Sequence, residues 1–242
     1  MLQAIVSKKA GRLPVTDEAI SWRSAFRMSE DLLTASVFGR LAYLDGPVLW
    51  RVLRRTFGPT LPDFRVAELE DITFWPTWDE SGEENGTVEP DVFLDFKLGD
   101  PPVSIRLIVE AKLGSYPTQY ADQWIRQWTA YQEANGDDGN RVFLAAIGGL
   151  GKNVEATVEK IVRDVTALGH EIEVAAAGWD RLLIAVEEER RLPLKRSETR
   201  IFDDIVTALG LASYQHLKLL GDMPHSARPW TASASSSLRD FK

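Results

Sequence analysis

The stretch PDVFLDFKLGDPPVSIRLIVEAKL, residues 90–113, decides the fold class of this chain. Two segments of strand character flank the turn signal Gly-Asp-Pro-Pro at residues 99–102. A hairpin whose turn is centred between Asp100 and Pro101 has one wholly apolar face, and a shift of one residue would destroy that match. The apolar pairs in this register are Val92 with Val109, Leu94 with Leu107 and Phe96 with Ile105. The sequence therefore predicts a β-hairpin with this register.

The polar face of the predicted hairpin carries two opposed carboxylates. Asp91 lies across from Glu110, and directly opposed Cβ atoms are about 4.5–5.5 Å apart in an antiparallel pair. Alternation places Lys112 on the same face as Glu110, and the register sets it opposite Glu89. Water and nearby lysines would screen the repulsion on a solvated sheet face; alternatively, a divalent cation would resolve it. Mg²⁺ binds through one or two carboxylates together with waters and phosphate oxygens.

Helices and further strands are predicted on both sides of the hairpin. Ser29 is a suitable N-cap for a helix that ends near residues 45–47, and a strand segment over residues 66–75 precedes the hairpin. The other predicted elements are helices over residues 48–57, 118–134, 154–168, 180–191 and 197–209 and strands over residues 141–147 and 172–177. This order favours an α/β fold with a central mixed β-sheet of about five strands flanked by helices, rather than a regular doubly wound parallel sheet.

Length, composition and charge limit the kind of protein. The 242 residues, 44% of them hydrophobic, suit one domain at 29–212 with an N-terminal extension at 1–28 and a partly mobile C-terminal tail at 213–242. The sequence has no cysteine, which excludes a disulfide framework and a thiolate metal site. Its three histidines form no HxxxH or HExxH pair, so a zinc site is not expected. The net charge of -8 argues against a generally basic coat for nucleic acid but leaves room for a local basic channel.

The hydrophobic runs are too short for a membrane protein. None reaches the roughly 20 residues that span a bilayer. At the N-terminus, lysines follow a very short apolar run, which is the reverse of the order in a signal peptide. We therefore expect a soluble, cytoplasmic protein with no membrane partner; a homodimer or a protein partner in a larger system is compatible with the sequence.

Pro90-Asp91 followed by Glu110-Ala111-Lys112 resembles the signature of the PD-(D/E)xK superfamily of nucleases, also called restriction-endonuclease-like. The proline, both acids and the lysine stand in the family's order and on a predicted hairpin. The resemblance implies a restriction-endonuclease-like core in which Asp91 and Glu110, joined by the main-chain carbonyl of Ala111, bind Mg²⁺ or Mn²⁺. It also implies that Lys112 positions or deprotonates the attacking water, or stabilises charge in the transition state.

An acid-x-Lys triplet alone is weak evidence, because the sequence contains three of them. The other two are Asp95-Phe96-Lys97 and, in the predicted tail, Asp240-Phe241-Lys242. No Pro-Asp hairpin partner precedes the first of these, and the second lies outside the predicted domain. The Pro-Asp partner and the register therefore favour the triplet at residues 110–112.

A stripe of glutamines follows this triplet on a predicted helix. Gln119, Gln123, Gln127 and Tyr131 are spaced four residues apart and share one helix face, which a solvated polar face would also explain. The segment Gln127-Trp128-Thr129-Ala130-Tyr131 looks like the QxxxY motif of the RecB-like branch of the superfamily, whose side chains contact the nucleic acid or buttress the site. We expect Gln127, rather than Gln123, in the catalytic site, and Gln123 and Tyr131 at the nucleic acid.

The first two predicted helices contribute further candidates. Glu30 is a candidate third acidic ligand, because many members of the superfamily place an acid from the N-terminal helix beside the metal. Glu30 and Asp31 are equally ordinary first-turn acids that favour the helix dipole. Arg51, Arg54 and Arg55 form a partial basic face, which would contact the nucleic-acid backbone or would simply be solvated.

The sequence as a whole predicts a metal-dependent nuclease that hydrolyses phosphodiester bonds of nucleic acid, DNA rather than RNA, with Mg²⁺ or Mn²⁺ as its cofactor. One alternative is a catalytically silent module that keeps the fold for nucleic-acid binding or protein assembly. Another is a protein-interaction domain with tryptophan-rich contacts, although the spacing of the tryptophans is more typical of core positions; these are Trp75, Trp78, Trp124 and Trp128. The motifs carry no signal for strand preference.

Overall fold

The computed structural model describes residues 2–15, 18–80, 86–114, 116–136 and 139–216. These residues form eight helices: α1 Leu2–Val6, α2 Trp22–Met28, α3 Glu30–Leu41, α4 Gly46–Phe57, α5 Ala121–Asn135, α6 Val154–Ala167, α7 Trp179–Glu189 and α8 Arg196–Leu211. They also form nine strands: β1 Arg12–Val15, β2 Glu18–Ser21, β3 Ala67–Phe74, β4 Trp78–Asp79, β5 Thr87–Val88, β6 Val92–Leu98, β7 Val103–Ala111, β8 Arg141–Ile147 and β9 Val174–Ala177. The predicted tail at 213–242 lies outside the described residues from position 217 onwards.

The centre of the fold is a mixed five-stranded sheet with the strand order β3-β6-β7-β8-β9. β6 is antiparallel to both β3 and β7, whereas β8 lies parallel to β7 and β9 parallel to β8. Parallel neighbours need a crossover, and α5 and α6 lie in the two connections that provide it. The predicted α/β class with a mixed sheet flanked by helices is therefore confirmed.

The hairpin of β6 and β7 has the predicted register. Its six apolar partners are at most 2% exposed. They pair as Val92 with Val109, Leu94 with Leu107 and Phe96 with Ile105. On the other face Asp95 pairs with Arg106, whose Nε donates a hydrogen bond to the Asp95 carboxylate at 3.0 Å. Alternation thus gives the hairpin one core face and one face toward α5.

The predicted opposition of Glu89 and Lys112 is wrong, because the ladder between β6 and β7 does not extend beyond Val92. Pro90 has no N–H to offer a neighbouring strand, and β5, just ahead of it, pairs with β4 in a separate two-stranded sheet. Lys112 instead donates its main-chain N–H to the carbonyl of Ile147 on β8 at 2.8 Å. The regular ladder therefore ends before the predicted Asp91–Glu110 pair as well, and Asp91 instead donates its main-chain N–H to the carbonyl of Val109 at 3.1 Å.

Two layers of helices cover the sheet. α3, α4, α7 and α8 pack on one face around the main hydrophobic core, which includes Trp50 and Phe202. α5 and α6 cover the other face through a second cluster that includes Trp124 and Leu144. Strand alternation sends successive side chains of β7 and β8 into these two layers. No helix within the described ranges is long and apolar enough to cross a bilayer.

The N-terminal segment is packed, although its weak periodicity predicts a peripheral extension. Leu2 and Ile5 of α1 and Phe26 of α2 belong to the main core, with 6%, 2% and 1% of their surfaces exposed. Each of these helices is only one to two turns long, so its few apolar residues form no recognisable period. The segment therefore contributes to the core on which α3 lies.

Candidate functional site

Three predicted site residues meet where the regular ladder of the hairpin ends. Asp91 immediately precedes β6, and its Oδ2 accepts a hydrogen bond from the N–H of Ala111 at 2.7 Å. Glu110 lies near the end of β7 with only 1% of its surface exposed. Lys112 follows β7, and its ammonium contacts the carboxylate of Glu110. The structure therefore brings Asp91, Glu110 and Lys112 together.

Glu30, the predicted third acid, reaches the same place. Ser29 caps α3 by accepting the N–H of Leu32 at 3.2 Å, so Glu30 is the first residue of the helix. Oε1 of Glu30 accepts from Lys112 Nζ at 3.1 Å, and Oε2 accepts from the N–H of Leu113 at 2.7 Å. Lys112 thus bridges an acid of α3 and an acid of β7. The acid–lysine cluster hereafter consists of Glu30, Asp91, Glu110 and Lys112.

Two glutamines of α5 hold the carboxylate of Glu110. Gln123 Nε2 donates to Oε1 of Glu110 at 2.6 Å, and Gln127 Nε2 donates to Oε2. Their spacing of four residues places both on the helix face toward β7. Together with Lys112 these donors fix the orientation of a carboxylate that has almost no contact with solvent. Oε1 of Gln127, in contrast, is buried without a hydrogen-bond partner.

Gln119, the first glutamine of the stripe, has a role that the sequence does not reveal. Its Nε2 donates to the main-chain carbonyls of Glu110 and Gly148 at 3.2 and 3.3 Å. Its Oε1 accepts from the Trp124 indole at 2.9 Å. Gln119 therefore ties the ends of β7 and β8 to α5, and both of its side-chain polar atoms take part in these contacts.

Three residues from outside the predicted site shape the main chain around Lys112. Trp179 Nε1 donates to the carbonyl of Lys112 at 3.0 Å. Gly148 and Gly149 have positive φ angles of 72° and 61°. An added Cβ on Gly148 would overlap the Lys112 carbonyl, and one on Gly149 would overlap the Lys112 side chain, so both positions require glycine. Two glycines directly after a buried strand are the local signal that would have pointed to this close approach.

Tyr131, expected at the nucleic acid, lies inside the protein with 1% of its surface exposed. Its ring packs among Trp78, Phe93 and Trp128, with centroid distances of 5.6, 5.9 and 6.3 Å. Its hydroxyl accepts a hydrogen bond from Arg106 at 2.7 Å. A side chain so buried has no surface to offer a ligand, so its position corresponds to a buttress of the hairpin.

The three arginines of α4 pair with other carboxylates and not with the acid–lysine cluster. Arg51 Nη2 lies 3.0 Å from Glu189 Oε2, and Arg55 Nη1 lies 2.7 Å from Glu188 Oε2, both on α7. Arg54 lies 3.6 Å from a carboxylate in the loop after α4. In the part of the chain that the structure describes, none of their ion pairs reaches the cluster. The structure therefore does not bring these arginines together with the other predicted site residues.

Burial and charge shift the ionisation of two cluster residues. Burial, and then the neighbouring charge of Glu110, raise the pKa of Asp91 from 3.8 to about 7, although the N–H of Ala111 and Lys112 oppose the shift. For Lys112, burial acts to lower the pKa, but the charges and hydrogen bonds of Glu110 and Glu30 outweigh it and raise the pKa to about 12. Lys112 is therefore a cation at neutral pH, suited to holding an anion or a water rather than to removing a proton.

The oxygen atoms of the cluster match the ligands that Mg²⁺ and Mn²⁺ prefer. Asp91 and Glu110 supply neighbouring carboxylates, and the buried Oε1 of Gln127 lacks a donor. Within the described ranges, no three His, Asp or Glu side chains form a group that would hold a metal ion alone. A cation here would therefore take one or two carboxylates and complete its shell with main-chain oxygens and waters, as Mg²⁺ usually does.

The chain is similar in sequence to a protein of uncharacterized function. The chain is 28% identical over 166 residues to an uncharacterized protein of Pasteurella multocida (strain Pm70), in a match that covers 66% of the chain. The matched region spans 60% of that relative's length. No family model matches the chain, and no solved structure matches it.

Proposed function

We propose that this protein is a metal-dependent nuclease of the PD-(D/E)xK type, which hydrolyses phosphodiester bonds of nucleic acid, with DNA as the expected substrate. The acid–lysine cluster carries the proposal, because Lys112 contacts both Glu110 and Glu30 while Asp91 is buried beside Glu110. Strongly perturbed groups gathered at one point are typical of functional sites. A restriction-endonuclease-like core belongs to the same proposal, supported by a hairpin that continues into parallel β8 and β9.

The carboxylates act as ligands in this proposal. Asp91 and Glu110 would hold Mg²⁺ or Mn²⁺, with Glu30 and the main-chain carbonyl of Ala111 as further oxygen donors. The bound metal would polarise the scissile phosphate and lower the pKa of a water. The glutamines of α5 keep the carboxylate of Glu110 in one orientation, which is what a ligand must have if the phosphate is to be placed reproducibly.

Lys112 acts as a fixed cation. An ammonium has three N–H donors, and contacts with Glu110 and Glu30 use two of them. The third donor is left for a phosphate oxygen or the attacking water, where a positive charge stabilises the negative charge of the transition state. Trp179 and Gly149 hold the main chain and side chain of Lys112 in place for this contact.

A cleavage panel tests the proposal directly. Linear, circular and single-stranded DNA, and RNA, are incubated with the wild type in Mg²⁺ and in Mn²⁺, with EDTA as the blank. Lys112→Ala should lower the cleavage rate by about 100-fold or more. Lys97→Ala is the matched control, because Lys97 ends the second acid-x-Lys triplet but hydrogen-bonds to Ser104. We expect Lys97→Ala to cleave at the wild-type rate.

Two results would contradict the proposed nuclease activity. The first is no metal-dependent cleavage of any substrate by folded wild type. The second is cleavage that Lys112→Ala and Asp91→Asn leave unchanged while circular dichroism shows both variants folded. Binding of nucleic acid without cleavage would favour the catalytically silent module.

A further inference from the structure

Exposed aromatic residues lie on segments that are joined to the acid–lysine cluster. Among the described residues, four aromatic residues have more than a third of their surface exposed: Tyr43 at 76%, Trp75 at 38%, Tyr116 at 80% and Tyr120 at 62%. Trp75 donates its main-chain N–H to the carbonyl of Asp91 at 3.1 Å. Tyr116 and Tyr120 belong to the segment that joins Lys112 to α5. Trp75 is therefore joined to the cluster by a main-chain hydrogen bond, and Tyr116 and Tyr120 are joined to it by the chain itself.

Trp75 holds a backbone conformation that bulky residues rarely adopt. It directly follows β3, and its φ angle is 49°, in the left-handed region. Its indole packs on the ring of Phe74 at a centroid distance of 5.6 Å. Strain of this kind persists where the surrounding structure imposes it, and it is frequent where ligands bind. The indole is thus held against Phe74, on a residue whose main chain is bonded to Asp91.

The segment that carries the two tyrosines is also fixed. The N–H groups of Thr118 and Gln119 both donate to the carbonyl of Gly149, at 2.8 and 3.3 Å. Tyr116 and Tyr120 are therefore exposed on a backbone that is tied to the loop after β8. Large rings on an ordered backbone lose little conformational freedom when they meet a ligand.

This surface suits unpaired bases better than a duplex. Bases stack on exposed aromatic rings with little dependence on sequence, whereas bases inside a duplex present only their edges in the grooves. Basic side chains that contact phosphates add affinity for both kinds of strand, but only unpaired bases can add stacking to it. Arg51 and Arg55 are paired within the protein, and the chain as a whole carries a net charge of -8. Stacking would therefore supply the affinity that basic residues do not.

We infer that Trp75, Tyr116 and Tyr120 stack on the bases of single-stranded nucleic acid and position its backbone at the acid–lysine cluster. The inference rests on the proposed function, because it names the substrate class of the same site. It adds three binding residues that no signature motif of the chain contains. It also predicts that the nuclease prefers unpaired strands to duplexes.

Binding without cleavage tests the inference first. Fluorescence anisotropy in EDTA compares a labelled oligothymidylate with a labelled hairpin duplex of similar length. The wild type should bind the single strand at least about tenfold more tightly. Trp75→Ala, Tyr116→Ala and Tyr120→Ala should each weaken single-strand binding by about tenfold. Tyr43→Ala is the matched control, since Tyr43 lies beyond the C-terminal end of α3 and away from Glu30, and it should bind as the wild type does.

An abasic strand distinguishes stacking from a structural effect. Wild type should lose about tenfold in affinity when the bases are replaced by abasic sites, because phosphates remain but no ring is left to stack. Trp75→Ala should show a smaller loss, since part of the stacking is already absent. Trp75→Phe, which keeps a ring, should restore most of the binding. Circular dichroism and thermal unfolding confirm that each variant is folded.

The experiments distinguish a failure of this inference from a failure of the proposed nuclease activity. The inference would be overturned if wild type and the three alanine variants bound the single strand equally. It would also be overturned if the wild type bound the duplex more tightly than the single strand. Single-strand binding that needs the rings but is never followed by cleavage in Mn²⁺ would support the inference and contradict the nuclease. If the protein cleaved duplex DNA at a rate that the three substitutions left unchanged, the proposed nuclease activity would be supported and the inference would be overturned.

Discussion

The carboxylates of Asp91 and Glu110 are buried next to each other at the open end of the hairpin, and only 8% and 1% of the two residues' surfaces are exposed. Burial and the charge of Glu110 raise the pKa of Asp91 to about 7. Because each carboxylate loses hydration and repels the other, the pair lowers the stability of the folded protein at neutral pH. A cation between them would reverse the effect, which makes the stability of the protein a measure of the site.

The metal-free protein should lose stability as the pH rises from 5 to 8. Asp91 has a pKa of about 7 in the folded state against an ordinary value of 3.8, so the folded state binds more protons between these values. The stability that protonation of Asp91 gives to the folded protein is fully present below the ordinary pKa and is lost as the pH rises through 7. Asp91→Asn lacks this titrating group, so its free energy of unfolding should not show the loss. Between pH 5 and pH 8, its stability relative to wild type should therefore rise by about 2 kcal/mol, or roughly 4–8 °C in Tm. Thermal unfolding in EDTA measures the gain.

Asp95→Asn is the matched control for this pH dependence. Asp95 lies on β6, four residues after Asp91, but forms an ion pair with Arg106 at 3.0 Å. Removing its charge weakens a favourable contact, so Asp95→Asn should be less stable than wild type at both pH values. Parallel pH profiles for Asp91→Asn and wild type would contradict the buried repulsion.

Mg²⁺ or Mn²⁺ should restore the stability that the carboxylate pair removes. A ligand that binds only the native state stabilises it by about 2.7 kcal/mol at a concentration of one hundred times its Kd. We expect Mn²⁺ to raise the Tm of wild type at pH 8 and of Asp95→Asn by similar amounts, and to raise that of Asp91→Asn much less. Scanning fluorimetry over a Mn²⁺ titration measures the response. An equal response from Asp91→Asn would remove Asp91 from the ligand set.

Gln127→Leu should affect stability more than Gln123→Leu. The first substitution leaves Oε2 of Glu110 without its donor in a buried place, which costs about 1–3 kcal/mol. The second removes one of two donors to Oε1, where Lys112 remains. Urea unfolding measures both changes. Under the proposed function, Gln127→Leu should also lower kcat with little change in KM, because the orientation of Glu110 serves the chemical step. Equal stability of the two variants would contradict this ranking.

The hairpin and its acids could be predicted because they follow from local rules. Alternation and a strong turn signal allow only one register with an apolar face, and the structure has that register. The same alternation places Glu110 and Lys112 together. Ser29 is a cap by residue type, which puts Glu30 at the start of α3. The rule failed at Pro90 and Asp91, where the regular ladder ends and the N–H of Asp91 bonds to Val109 instead.

The partners of the remaining candidates could not be predicted, because they come from distant parts of the chain. The pattern of α4 shows that its arginines share a face, but not that α7 presents Glu189, 138 positions after Arg51. The spacing of the glutamine stripe shows which face it occupies, but not that Tyr131 meets the ring of Trp78. In both cases tertiary packing decides whether a polar or aromatic face meets solvent or the protein.

Gly149→Ala should destabilise the protein more than Gly169→Ala, although both glycines have positive φ angles, 61° and 86°. The backbone cost of the left-handed region, about 1–2 kcal/mol, applies to both. A Cβ on Gly169 would meet nothing within 4 Å, whereas one on Gly149 would overlap the side chains of Lys112 and Thr118. We therefore expect Gly149→Ala to lose about 1–3 kcal/mol more in urea unfolding. It should also slow cleavage under the proposed function, because the overlap displaces Lys112. Equal losses in the two variants would mean that the loop after β8 relaxes freely and does not position Lys112.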